Sequence, residues 1–449
     1  MDHELLKRYG GAVPRYTSYP TAPHFHAGVS AATYRDWLGA LEPGAEISVY
    51  LHVPFCARMC WYCGCHTKVV SRYDPIADYA QTLAREVDLA ADAMPAGIEI
   101  DHLHWGGGSP TTLIDADFTM VMDKLRARFA VTEDAELAIE IDPRTMTADK
   151  AAAIAAGGIN RVSFGVQDFN AKVQDAINRV QTYDETRHVI DMLRAAGLDA
   201  INLDLMYGLP HQSLDDAINT VDLAVDLAPD RLSVFGYAHV PWMKTHQRMI
   251  DEAALPGTLE RWDQAEAIAR RLAEHGYVQV GLDHFARPDD PMARRLAAGT
   301  LKRNFQGYTT DDARALIGLG ASAIGALPDG YVQNAPSVRA WRRAVDDGCF
   351  AIERGIQLTP ADKLRRDIIE RLMCDLEVDL APFESRPGAP DDGFAAERAR
   401  LLAMADDNLI DLDGLHIRLT EAGRPLVRSV AAVFDTYLAT GRGRHSAAV

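Results

Sequence analysis

YLHVPFCARMCWYCGCHT, residues 50–67, decides how this chain is read. Its opening belongs to an apolar run, ISVYLHV (47–53), that reads as a β-strand. The rest holds four of the chain's six cysteines, and the first three, Cys56, Cys60 and Cys63, follow CxxxCxxC spacing directly after the strand. Thiolates bind zinc and iron–sulfur clusters alike. Zinc usually takes two separated ligand pairs, whereas these ligands share one tight loop, with Cys65 or His66 as the near fourth candidates. Three thiolates would leave one iron of a cubane open to a further ligand. Both readings stand at this point, with the cluster preferred. Cys349 and Cys374 stand alone and read as buried small hydrophobes.

Outward from the loop, short apolar runs alternate with amphipathic stretches, the pattern of β/α units. Strands are read at 47–53, 100–105, 136–141, 160–166, 200–206, 231–237 and 277–282, with helices such as YAQTLAREVDLAADA and ETRHVIDMLRAAG between them. Parallel strands need such crossovers, so the fold class is α/β, a closed or partial TIM-like (β/α) barrel. Residues 46–355 make up this barrel. Past 355 the pattern turns to helices and a short IDLDGLHIRL hairpin, a mostly helical C-terminal domain at 356–449 with an exposed loop at 382–392. Residues 1–45 form an N-terminal arm whose RYTSYPTAPHF segment packs on the barrel as an ordered lid.

Composition sets the class. Forty-six basic and 64 acidic residues leave a formal charge of −18, which argues against nucleic acid as a partner, because phosphate binding needs a basic face. No apolar run approaches the ~20 residues of a membrane-spanning helix. The N-terminus lacks a secretory pattern, so a reducing, cytoplasmic setting is expected, in which cysteines are thiols or metal ligands.

CxxxCxxC after a first barrel strand is similar to the radical S-adenosylmethionine superfamily. PRYTSYPT (14–21), HWGGGSPT (104–111), EIDPR (140–144), GVQDFNAKVQDAINR (165–179), DLMYGLP (204–210), DRLSVFGYAHVP (230–241), DHFARPDD (283–290), RNFQGYTT (303–310) and FDTYL (434–438) narrow the match. Together they resemble the oxygen-independent coproporphyrinogen III oxidase (dehydrogenase) family over nearly the whole chain. The resemblance implies a [4Fe–4S] cluster on Cys56, Cys60 and Cys63 and S-adenosylmethionine bound at its open iron. Tyr62 would contact adenine, and Tyr50 would lie beside the methionine moiety. Gly107, Gly108 and Ser109 would meet the methionine end through their backbone, since missing side chains let N–H groups approach a ligand. Glu140, Gln167, Arg179 and Asp204 would bind the ligand's amine, ribose and carboxylate, at the strand ends where barrel sites gather. Asp204 suits the ribose hydroxyls and Arg179 the carboxylate. Ala238 and Ile324 would add apolar contacts. Cys65 reads as a family feature beside the cluster and not as a ligand.

The implied reaction is oxidative decarboxylation of two propionates of coproporphyrinogen III to the vinyl groups of protoporphyrinogen IX, in haem synthesis and without oxygen. A 5′-deoxyadenosyl radical would take hydrogen from the carbon β to each carboxylate. A donor such as flavodoxin would reduce the cluster, an outside acceptor would take the remaining electron, and the chain is expected to act as a monomer. For a tetracarboxylate substrate the candidate contacts are Arg15, Tyr16, Tyr19, His52 and Arg287. Rival expectations are another radical enzyme on the same barrel, such as a haem-handling methyltransferase or haem chaperone, and a haem or zinc carrier without turnover.

Overall fold

The structure, a computed structural model, describes residues 3–438. Residues 1–2 of the expected arm and 439–449 of the expected C-terminal domain lie outside them. The run at 47–53 lies in strand β1 (Glu46–Val53), where Ile47, Val49, Leu51 and Val53 are at most 2% exposed and join the main apolar core. Ser48, Tyr50 and His52 alternate with them and so point to the opposite face. The same division recurs along β2 (Glu99–Gly107), β3 (Ala130–Ile141), β4 (Arg161–Gln167), β5 (Ala200–Tyr207) and β6 (Arg231–Gly236). On β5, for example, Ile201, Leu203 and Leu205 enter the core while Asn202 and Asp204 face away from it. Parallel strands covered by helices on both faces are apolar throughout. Strands with one polar face carry helices on one side and enclose an interior on the other.

Helices Asp74–Ala93, Asp115–Arg128, Ala148–Ala156, Tyr183–Ala195 and Leu214–Asp226 connect these strands. In the first, Ile76, Tyr79, Ala80, Leu83, Val87 and Ala90 are buried at helical spacing. Capping boxes from Thr182 with Glu185 and Ser213 with Asp216 fix the starts of the last two.

β1 to β6 are neighbours in chain order and all parallel. Beyond β6 lie β8 (His284–Ala286) and then β7 (Val278–Val280); beyond β1 lie β9 (Leu316–Leu319), β10 (Ile324–Leu327), β11 (Gly330–Asn334) and β12 (Ile352–Gln357), making a twelve-stranded sheet. Arg231 on β6 reaches Glu136 on β3 at 3.2 Å, past two intervening strands. A flat sheet would separate those backbones by about 14 Å at its usual strand spacing. The sheet is therefore curled, and because β7 and β12 have one neighbour each, the barrel is partial. Arg161 and Asp290 complete this ion-pair group, which fills the barrel's lower interior at the N-terminal ends of the strands.

Two expectations change, the strand at 277–282 and the burial of Cys349. The strand read at 277–282 is shorter and is not the next parallel neighbour, because β8 turns back after three residues and inserts antiparallel between β7 and β6. The boundary read at 355 lies within β12, and Tyr34, Trp37 and Leu38 of the helix Ala31–Gly39, in the stretch read as the arm, pack in the barrel core. Cys374 is fully buried, but Cys349 is exposed in the turn that ends the helix Val338–Asp346.

The C-terminal domain packs helices Pro360–Asp375 and Ala395–Asp406 on a small antiparallel sheet built from Glu377–Asp379, Ile410–Asp413 and His416–Leu419. Its core, with Leu364, Ile368, Phe394, Leu401, Ile417 and Phe434, takes in Tyr16 and Tyr19 from the arm.

Candidate active site

The cysteine loop leaves β1 at the C-terminal edge of the parallel strands and is tied down from three sides. Asn178 donates to the Met59 carbonyl at 2.7 Å, and the Trp61 N–H donates to the Ile177 carbonyl at 2.9 Å. From the segment after β6, Gln247 donates to the Tyr62 carbonyl at 2.9 Å, His246 to that of Cys63 at 2.7 Å and Lys244 to that of Cys65 at 2.9 Å. Asn178 lies in the motif at 165–179, but no sequence motif marks Lys244, His246 or Gln247, since they act on backbone and need only reach.

Glycines let the loop settle against β2. A Cβ on Gly106 would lie 2.9 Å from the Tyr50 ring and the Glu140 carboxylate, one on Gly107 2.8 Å from the His52 ring, and one on Gly108 3.0 Å from Cys56 Sγ. The run's N–H groups, expected to reach a ligand, are already engaged: Gly107 donates to Glu140, Gly108 to the Val53 carbonyl and Ser109 to the Phe55 carbonyl. The run therefore offers space and carbonyl oxygens, because the chain uses its donors to fasten the loop. Burial lowers His52 to about 4, so its ring is neutral at ordinary pH. Its Nε2 donates to the His66 carbonyl at 3.0 Å, which leaves Nδ1 to accept from the Tyr50 hydroxyl, also at 3.0 Å.

Two guanidinium groups face Cys60. Arg144 grips Asp142 through Nε at 2.9 Å and Nη2 at 2.7 Å, and its Nη2 stands 3.8 Å from Cys60 Sγ. Arg179 stands 3.7 Å from the same sulfur, 3.9 Å from Asp142 and donates to the Gly165 carbonyl at 2.8 Å. Its buried Nε has no partner. Burial alone would raise the Asp142 carboxyl, but Arg144 and Arg179 bring it below its ordinary value. Gln167, at φ 69°, folds back over Gly165, where a Cβ would sit 2.0 Å from its amide nitrogen. Glu140 accepts from His104 at 3.1 Å. Asp204 accepts from Asn202 at 2.9 Å, and burial together with the Glu140 charge raises its carboxyl to about 6. Asp142 and Arg144 are additions to the expected set, and their signal was present in EIDPR.

Among the thiols, burial pushes Cys56 up to about 11, whereas a hydrogen bond from Cys65 holds Cys63 down to about 6. The donor set fits a thiolate-held cluster, since three sulfurs share one loop and two cations offset their charge. The orphaned Arg179 Nε fits a carboxylate beside it.

The other expected residues are spread more widely. Tyr62 packs among Val173, Ile177, Leu209, Tyr237 and Ile250. Ala238 follows β6, while Ile324 lies on β10, on the opposite flank of the parallel strands. Arg15 is exposed and donates to the Gly236 carbonyl at 3.3 Å, at the end of β6. Tyr16 and Tyr19 are buried in the C-terminal core, bonded to Asp435 and Thr436 at 3.0 Å each. Arg287 lies at the other end of β6, where its guanidinium donates to the carbonyls of Ala228 and Pro229. Arg15 and His52 thus reach the strands' C-terminal edge, and Tyr16, Tyr19 and Arg287 do not.

Comparison with known proteins agrees with this geometry. Residues 50–224 match the Radical SAM superfamily and residues 358–426 the HemN C-terminal domain. The oxygen-independent coproporphyrinogen III oxidase of Bradyrhizobium diazoefficiens is 51% identical over the whole of both chains. That of Paracoccus denitrificans is 42% identical over 99% of this chain and 98% of its own. The solved structure of coproporphyrinogen III oxidase from Escherichia coli, described as a radical SAM enzyme, is 39% identical, covers 97% of this chain and 99% of that one, and superposes with a TM-score of 0.91. The superfamily's cofactors are a [4Fe–4S] cluster and S-adenosylmethionine, and this chain belongs to the oxygen-independent coproporphyrinogen III oxidase family.

Proposed function

We propose that this chain catalyses the oxygen-independent oxidative decarboxylation of two propionates of coproporphyrinogen III, giving protoporphyrinogen IX in haem synthesis. The observation that carries the reading is Arg179, whose Nη1 stands 3.7 Å from Cys60 in the three-cysteine loop while its buried Nε has no partner. When bound, the cluster and S-adenosylmethionine supply an electron and a 5′-deoxyadenosyl radical able to take hydrogen from the propionate carbon β to the carboxylate.

The chain's own residues prepare that chemistry. Cys56, Cys60 and Cys63 would hold the cluster, and Arg144 and Arg179 would offset the thiolate charge. Arg179 pairs the ligand's carboxylate, Glu140 its amine and Asp204 its ribose. Gln167, Tyr50 and the carbonyls of Gly107, Gly108 and Ser109 line the methionine end, with Tyr62, Ala238 and Ile324 as apolar contacts. His52, neutral and bonded at both nitrogens, fixes the Tyr50 hydroxyl. The arm from Val13 to Tyr19 closes the mouth as a lid, because it is anchored on the C-terminal domain while Arg15 reaches β6. A reductant such as flavodoxin delivers electrons, an outside acceptor removes the last one, and a monomer in the cytoplasm suffices. No helix among the described residues is long and apolar enough to cross a membrane.

The test is anaerobic incubation of reconstituted protein with coproporphyrinogen III, S-adenosylmethionine and a reductant, with products identified by mass. Successive loss of two molecules of carbon dioxide, each with two hydrogens, is expected. Recovery of unchanged substrate from cluster-loaded protein would reject the reading.

A further inference from the structure

Four arginines from distant parts of the chain meet at the ends of β5 and β6. Arg303 donates through Nη2 to the Arg15 carbonyl at 3.3 Å, and Arg15 donates to the Gly236 carbonyl at 3.3 Å. Arg261 packs on the same glycine: a Cβ on Gly236 would lie 3.1 Å from Arg261 Nη2 and 2.9 Å from the Tyr207 ring, and one on Gly208 2.9 Å from Arg261 Nε. Arg428 is 4% exposed beneath the arm and donates to the Pro14 carbonyl at 2.9 Å, and its burial, with Arg15 and Arg303 nearby, disfavours its charge.

This concentration of positive charge is poorly compensated. Among the described residues, Arg15, Arg261 and Arg303 take part in no ion pair, although acids outnumber bases in the chain by 64 to 46. Buried Arg261 Nε, Arg303 Nε and Arg303 Nη1 have no hydrogen-bond partner. Burying guanidinium N–H groups without an acceptor is unfavourable, so a group that is absent here should satisfy them. Asp283 is a carboxylate that faces these arginines, and it is already bonded to His284 at 2.8 Å. Tyr207 faces Arg261, Arg15 and Arg428, and the Arg303 guanidinium lies 4.2 Å from the centre of the Tyr308 ring. Side chains that present several N–H groups next to aromatic surface suit carboxylates borne on a macrocycle of pyrrole rings.

The position also fits. Tyr207 is on the strand of Asp204, three residues nearer its C-terminal end, and Gly236 ends the adjacent strand. His284 bridges the two regions, bonded to Asp283 on one side and near enough to Asp204 to favour its charged form on the other.

We infer that Arg261 and Arg303, with Arg15 at the rim and Arg428 beneath, bind propionate carboxylates of the substrate and so set which propionate faces the radical source. The inference rests on the functional reading above and extends it to specificity. Arg261 is the cleanest position to test, since among the described residues its guanidinium holds no other part of the chain in place.

The experiment uses cluster-loaded full-length protein and coproporphyrin III, the stable oxidised tetracarboxylate, as a fluorescence-binding probe, with its tetramethyl ester as the uncharged control. Arg261→Gln and Arg303→Gln should each weaken coproporphyrin III binding about tenfold or more and raise KM for coproporphyrinogen III. Iron content should not change, and 5′-deoxyadenosine should form in excess over vinyl product. Arg261→Lys should recover part of the affinity, which lost folding would not allow, and the ester should bind all variants alike. Wild-type affinity and KM in both glutamine variants would overturn the carboxylate site while leaving the functional reading intact. A wild-type protein that neither binds coproporphyrin III nor converts the porphyrinogen would instead remove the reading on which the site rests.

Discussion

Cys65 lies two residues past Cys63, and its backbone N–H and thiol both point to the Cys63 sulfur, at 3.4 Å for the N–H. A residue that supports a ligand in this way is not itself at a cube corner. Replacing Cys56, Cys60 or Cys63 by serine should therefore abolish iron binding and the brown colour of anaerobically purified protein, while Cys65→Ser keeps its iron; equal loss in all four would show the assignment to be wrong. Arg179→Ala and Asp204→Ala should each lose about 1.5–3 kcal/mol of S-adenosylmethionine binding, roughly one to two decades in affinity, with the cluster retained. Calorimetric titration measures this, and unchanged affinity in both would leave them with structural roles only. Sequence made these residues legible because each belongs to a dense local motif. It could not tell that Tyr16 and Tyr19 turn into the C-terminal core or that Arg287 sits at the far end of its strand, since ring and guanidinium chemistry read alike on either side. The clamps Lys244, His246 and Gln247 carried no signal, because carbonyl contacts leave no trace in residue type.

Among the elements, the six long parallel strands were legible, and with them the two crossover helices whose amphipathic spacing was clearest, Asp74–Ala93 and Tyr183–Ala195. β7 to β12 are three to six residues long and mostly antiparallel, too short for periodicity to reveal pairing partners. One helix residue joins the two kinds of strand. Glu86, on the helix Asp74–Ala93, is 1% exposed and accepts from the Gly320 N–H at 2.6 Å and from Asn334 at 2.7 Å, tying the helix to the ends of β9 and β11. Burial raises its carboxyl from 4.5 to about 7 despite these donors. The folded chain therefore holds this proton more tightly than the unfolded one. The resulting stability is full below the unfolded pKa and is lost as pH rises through about 7, by about 3 kcal/mol in all. Denaturation at pH 5 and pH 8 should show that decline in the wild type and a flatter dependence in Glu86→Gln. An unaltered slope in the variant would assign the decline to other groups.

At the scale of the whole molecule, the arm links the two domains: Tyr16 and Tyr19 are held by the C-terminal core, and Arg15 touches β6. Deleting residues 1–21 should thus lower the melting temperature as well as turnover, whereas Arg15→Gln should lower turnover with melting unchanged; a shared fall in melting would give Arg15 a structural role. The architecture makes one claim above the others, that the barrel delivers a radical from the cysteine loop to a propionate held at the strand ends. It is tested most directly with coproporphyrinogen III carrying deuterium on the propionate carbons β to the carboxylates, turned over anaerobically with unlabelled S-adenosylmethionine. Deuterium should appear in 5′-deoxyadenosine, with two molecules of it formed for each protoporphyrinogen IX. Vinyl product formed with unlabelled 5′-deoxyadenosine, or with none, would contradict the account.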